Sequence, residues 1–163
     1  MGTTAQTALW FLPAVVPICL WVAWSDLATM KIPNKANLAL LAAFVVLGFF
    51  ALPFEDSLWR FAHVGVALVL GIVMNAMRML GAGDAKFIAA AAPFVALSDL
   101  SGVALILGGC MILGFILHRV AGQTAIRNLV PDWQSWQEKS RFPMGFPLGA
   151  ALILYLVLAA FRG

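Results

Sequence analysis

Long uncharged, mostly apolar stretches alternate with short polar breaks along the whole chain. Between charged residues the sequence holds such stretches at 3–25, 36–54, 61–77, 87–98, 100–117 and 142–161, of 23, 19, 17, 12, 18 and 20 residues. A helix crosses the hydrocarbon of a bilayer with about 20 apolar residues, range about 17–25, so five stretches qualify directly and the fourth is short. The pattern predicts membrane helices over about 5–25, 36–54, 59–78, 84–98, 100–117 and 143–161. No repeat, low-complexity tract or linker interrupts them, which predicts a single domain over 1–163.

Composition strengthens this picture. The chain is 63% hydrophobic and 10% charged with a mean hydropathy of +0.98, against about 45–50% and about 25% in soluble domains. A water-soluble globule is excluded, and an all-α integral membrane bundle of about six helices is expected. The net charge of +3 informs on orientation rather than on nucleic acid, for which no binding face remains. With six crossings, Lys31, Lys35, Arg78, Lys86, Arg119, Arg127, Lys139 and Arg141 share one side and only Arg60 and Arg162 the other. The positive-inside rule then places the eight in the cytoplasm and both termini outside. A re-entrant fourth segment would turn that split into four against six. No Lys or Arg precedes the first apolar stretch and no small-x-small site follows it, so a cleaved signal peptide is not expected. Cys19 and Cys110 stand apart in apolar runs, which predicts small packing residues, with neither a metal site nor a disulfide. In the one sizeable loop, 118–141, the spacing of Trp133 and Trp136 predicts a short amphipathic helix in the headgroup layer.

Two acids stand out. Glu55, Asp56 and Asp99 fall in outside loops, and Asp132 and Glu138 in the long inner one. Asp26 instead ends the first apolar stretch, and Asp84 ends Gly81-Ala82-Gly83-Asp84 just before the short fourth one. The up-down topology brings both to the cytoplasmic face, where neighbouring helix axes lie about 8–10 Å apart. A fourth helix over 84–98 would be only about 22 Å long, which sinks Asp84 below the membrane surface. Burial disfavours the charged form of a carboxyl, and a second carboxyl nearby lets the two share one proton. Such a pair can take a proton from an attacking water with one member and polarise a peptide carbonyl with the other. Gly81 and Gly83 permit positive φ and close approach of a substrate backbone. The same residues also read as ordinary connectors and helix caps, as do Pro33 and Asn34.

Asp26 followed by Ile32-Pro33-Asn34, then Gly81-Ala82-Gly83-Asp84-Ala85-Lys86, then Pro143-Met144-Gly145-Phe146-Pro147-Leu148-Gly149, resembles the type IV prepilin peptidase family over nearly the whole chain. These are GxGD membrane aspartic proteases. The resemblance implies that Asp26 and Asp84 are the catalytic pair, with Pro33, Asn34, Gly81, Gly83, Lys86, Pro143 and Gly145 shaping the loops or the substrate site. It further implies cleavage of the basic leader of a prepilin or pseudopilin after a glycine, at the cytoplasmic face of a bacterial inner membrane, with no cofactor. Many relatives carry paired CxxC motifs and methylate the product. Their absence here predicts no methyltransferase domain, as in the short peptidases of tight-adherence (Tad, Flp) pili, while archaeal preflagellin peptidases share the catalytic motifs. Met144 departs from an aromatic residue common at that place.

The remaining polar residues carry structural expectations: His63 at the outer interface, Asn75 bonding a neighbouring helix, Arg78 reaching headgroups, and a GxxxG helix contact at Gly145 and Gly149. Lys86 reads equally as a headgroup anchor or a leader contact. The readings that compete with a protease are a small proton-coupled transporter using the same carboxylates and a nonenzymatic scaffold. A presenilin-like protease is disfavoured because its Tyr-Asp helix and Pro-Ala-Leu motif are missing.

Overall fold

The computed structural model describes residues 2–138 and 141–162. Lys139, counted above among the cytoplasmic cations, lies outside the described residues. The fold is all-α, with no strand among the described residues. Its helices are α1 (Ala5–Thr29), α2 (Asn34–Ala51), α3 (Phe54–Ala76), α4 (Ala82–Ala91), α5 (Leu100–Ala121), two single turns α6 (Ile126–Leu129) and α7 (Gln134–Gln137), and α8 (Gly145–Ala160). Four segments are long and apolar enough to cross a membrane: α1, α2, α3, and Leu97–Ala121, which contains α5. The apolar α8 is shorter, at 16 residues. The chain is a multi-pass membrane protein.

Local chemistry explains where the helices begin and end. Thr4 caps α1 by accepting from the Thr7 amide at 3.2 Å, and Met30 ends it in the left-handed region with φ 54°. Pro33 and Pro53 stand just before α2 and α3, where a missing N–H costs nothing. Glu55 and Asp56 then favour the first turn of α3 through the helix dipole, so this helix starts earlier than the expected 59.

The fourth helix differs most from expectation. Instead of running over 84–98, α4 stops at Ala91 and continues as two 3₁₀ turns, Ala92–Phe94 and Leu97–Asp99. Pro93 has no N–H to continue the α-helical ladder, which forces the break. At ten residues, α4 is only about 15 Å long.

Helices α1 and α8 form the most extensive pair, with α2 on the other flank of α1, α3 against α4, and α5 against α8. Phe94 meets Phe11 and Phe44 edge to face at 4.9 and 5.4 Å, and Phe11 and Phe44 lie tilted to each other at 5.9 Å, in the middle of the core. Cys19 is buried within it, whereas Cys110 is only half-buried on the outer helix α5.

A polar network closes one end of the bundle. Asp99, expected in an outside loop, is buried, and it accepts from the Gly2 amide at 2.6 Å, the Thr3 amide at 3.2 Å and the Tyr155 hydroxyl at 2.7 Å. Tyr155 Oη also shares a hydrogen bond with Thr3 Oγ1 at 2.7 Å and accepts from the Ala96 amide at 3.3 Å. Arg60, expected on the outer side, is buried and donates to the Pro93 carbonyl at 3.1 Å. That carbonyl precedes the break in the chain, so the arginine satisfies what the interrupted helix cannot. Thr7 to Ala51 and Ser57 to Gly48 add side-chain to backbone bonds of 3.0 and 2.8 Å at the same end.

Replacing Tyr155 with Phe removes the donor to Asp99 and leaves buried groups short of a partner, which is expected to cost about 1–3 kcal/mol. A lowered thermal unfolding midpoint in detergent is the measurement that checks this, and an unchanged midpoint refutes it.

Candidate active site

At the opposite end of the bundle, the α1–α2 turn, the α3–α4 connection and the start of α8 surround a cavity of about 460 Å³. Asp26 and Asp84 both line it, although 58 residues separate them in sequence. Asp26 stands in the last turn of α1, where its own carbonyl accepts from the Met30 amide at 2.8 Å. Its side chain is 5% exposed, and Oδ2 accepts from the Gly145 amide at 2.6 Å. Asp84 lies in the first turn of α4, half-buried, with its carboxylate against the Gly81 amide. This is the geometry of a helix N-terminus whose third residue reaches back to the cap.

The glycines act through space rather than through backbone freedom. No described glycine has positive φ, and Gly81 is extended at φ −67° and ψ 147°, so the positive φ that glycine permits is not used here. A Cβ at position 81 would lie 2.6 Å from Asp84 Oδ2, and one at position 145 would lie 3.0 Å from Asp26 Oδ2. Both glycines therefore make room for a carboxylate. Gly83 is different, since a Cβ there would meet Ile32 at an ordinary 3.5 Å.

Ile32 is the residue that sequence reasoning passed over. It is buried, lies against Gly83, and would touch a Cβ at Gly145 at 3.0 Å, so it wedges between the two acid-bearing segments. The signal was the branched apolar side chain between Lys31 and Pro33 in the short turn that joins α1 to α2. Lys31, Arg141, Phe142, Met30 and Met144 also line the cavity without having been singled out for it.

Of the residues expected at the site, Asn34, Gly81, Gly83 and Lys86 line the cavity with the two aspartates. Lys86 Nζ donates to Asn34 Oδ1 at 3.0 Å, which ties the start of α2 to α4. Pro33, Pro143 and Gly145 stand behind the lining: Pro33 precedes α2, Pro143 is fully buried, and Gly145 holds Asp26. Gly149, one turn further along α8, places its backbone where a Cβ would lie 3.1 Å from the Cys19 carbonyl. Asn75 donates to the Leu80 carbonyl at 2.8 Å, within its own connection rather than to a neighbouring helix as expected. It satisfies a carbonyl in the tight turn that Arg78, at φ 60°, helps to make.

An aromatic chain walls one side. Trp24 meets Trp133 edge to face at 5.1 Å, Trp133 stacks on Trp136 at 5.8 Å, and Trp136 stacks on His118 at 4.7 Å. His118 in turn meets Phe142, a cavity residue, at 5.8 Å. Trp133 precedes the single helical turn α7 and Trp136 lies within it, and the pair braces the loop against α1 and α5.

The type IV leader peptidase family model matches residues 14–118. The chain belongs to the type IV leader peptidase family. Comparison with curated proteins and with solved structures gives no match. The family match makes this a leader peptidase-like protease, and it contains the Asp26 turn and the Asp84 helix start that share the cavity. No group of three or more His, Cys, Asp or Glu suited to a metal occurs among the described residues.

Gly81→Ala and Gly145→Ala each displace one carboxylate while the flexible acid side chain relieves the clash. Each is therefore expected to lower peptidase activity about 100-fold with the helical fold retained, whereas Gly83→Ala has a smaller effect. Activity assays beside circular dichroism decide this, and equal activity for all three variants contradicts it.

Proposed function

We propose that this protein is a membrane-embedded aspartic endopeptidase that removes the basic leader of prepilins or pseudopilins at the cytoplasmic face of a bacterial inner membrane. The observation that carries the reading is the convergence of Asp26 and Asp84 on one cavity in a member of the leader peptidase family. One carboxylate takes a proton from water as the water oxygen attacks the scissile carbonyl carbon, while the protonated partner gives its hydrogen to the carbonyl oxygen. Collapse of the tetrahedral intermediate breaks the C–N bond, and the nitrogen leaves with a proton returned by the dyad. No metal or cofactor is required by this sequence of steps.

Six spans with both termini outside account for the bundle and for the charge asymmetry of the loops. In that arrangement the connections that form the cavity are cytoplasmic. Lys31, Lys86 and Arg141 line the cavity, so the positive residues of the leader point away from it, toward water and anionic headgroups. Only the segment flanking the scissile bond enters. No methyl transfer is assigned to this chain, and no observation favours the transporter reading.

A substrate with a basic leader ending in glycine before an apolar helix tests the reading. Purified wild type is expected to trim it in detergent with EDTA present, and Asp26→Asn and Asp84→Asn each to lose activity by about 100-fold or more. Cleavage by either variant at the wild-type rate makes that aspartate structural and ends the two-carboxylate mechanism.

A further inference from the structure

A second cavity, about 490 Å³ and almost wholly apolar, is a groove between α3 and α5 with α4 and α8 as its floor. It exists because α4 is short. Helix α3 packs on α4 and α5 packs on α8, but no comparable contact joins α3 to α5.

The groove leads to the acids. Its far end is bounded by Trp59, Leu97 and Tyr155, and its near end by Leu70, Phe87 and Leu148. Phe87 follows Asp84 by three residues, and Leu148 follows Gly145, the partner of Asp26, by three. Gly71, beside Leu70, approaches α4 so closely that a Cβ there would lie 2.9 Å from the Cβ of Ala85. The near end is thus one helical turn along α4 from Asp84 and one turn along α8 from Gly145, which bonds Asp26.

Its dimensions and texture suit a helix. From Trp59 to Leu70 the groove follows α3 for about 16 Å, or about three turns. Ala91, Ala92 and Ala151 lie along the floor, while Val66 and Leu100, 61% and 53% exposed, stand on opposite walls. Small residues beneath taller flanks let a second helix approach closely, which in lipid is what drives helix association.

We propose that this groove seats the apolar helix that follows the scissile bond of the substrate, in an orientation that delivers that bond to Asp26 and Asp84. The proposal rests on the peptidase reading above. A substrate whose bond lies between the acids has its next residues at the near end of the groove, and the groove continues in the direction that an apolar helix must take through the membrane. Substrate affinity then resides largely in the groove and chemistry in the acid cavity.

Two experiments separate this proposal from the peptidase reading. In cleavage assays, Ala62→Trp and Val66→Trp fill the groove from the lipid-facing wall. They are expected to raise KM about tenfold for the helix-bearing substrate while leaving kcat unchanged, and to leave cleavage of a peptide truncated before the helix unchanged. Val46→Trp, on the exposed face of α2 and outside the groove, is expected to behave as wild type. If both groove variants cut the helix-bearing substrate like wild type, the docking site is wrong and the catalytic reading survives. In the second experiment, a photo-crosslinker at Val66 or Leu100 of the Asp84→Asn enzyme is offered the helix-bearing peptide. Crosslinks to the peptide from these positions, and not from Val46, support the groove even if wild type cleaves nothing. Crosslinks only to lipid, or only to a second copy of the chain, overturn it.

Discussion

The acid cavity depends on how closely α8 can approach α1. Gly149 brings its backbone against the Cys19 carbonyl, and one turn earlier Gly145 turns its amide onto the Asp26 carboxylate at 2.6 Å. A side chain at either position would force the helices apart or push the carboxylate aside. In lipid, where apolar contact between helices has no water to expel, such small-residue approaches and interhelical hydrogen bonds carry the association. The same contact therefore joins the helices and orients the first acid. Pro143 and Met144 lead into it, which explains why the stretch before α8 matters to a site formed chiefly by the first half of the chain.

The two ends of the bundle are built on opposite principles. At one, Asp99, Tyr155, Thr3 and Arg60 satisfy one another and the backbone around the broken fourth helix. Such a network gains strength in a low-dielectric interior because its members are paired, and unpaired members there would be costly. At the other end the polar groups open onto a cavity, with Lys86 to Asn34 and Gly145 to Asp26 as ties across it. The closed end fixes where α4 stops, and the open end leaves its carboxylate accessible.

Much of this was legible in the chain. The apolar stretches marked the helices to within a few residues, because a lipid environment admits few other arrangements of a backbone. The spacing of Asp26, Ile32-Pro33-Asn34 and the Gly81–Asp84 motif marked the acids that share a cavity. What was not legible depends on neighbours distant in sequence. Asp99 and Arg60 look like loop charges until Tyr155 and the Pro93 carbonyl are seen beside them. Asn75 looks like an interhelical donor until the Leu80 carbonyl turns back onto it. Gly81 looks like a conformational glycine, but its backbone is one that any residue adopts, and its role is the empty volume beside Asp84.

The early end of α4 has two consequences that would otherwise require separate explanations. Ten residues are about 15 Å of helix, half of a full span of about 30 Å, which sets how far the first-turn carboxylate stands from the other end of the helix. The same shortness keeps α3 and α5 from closing over α4, which leaves the apolar groove beginning one turn from that carboxylate. The position of the acid and the openness of the groove are thus both tied to the break at Pro93, whose own carbonyl Arg60 bonds. A bundle of uniformly long helices would lack both features, however well its aspartates were spaced in sequence.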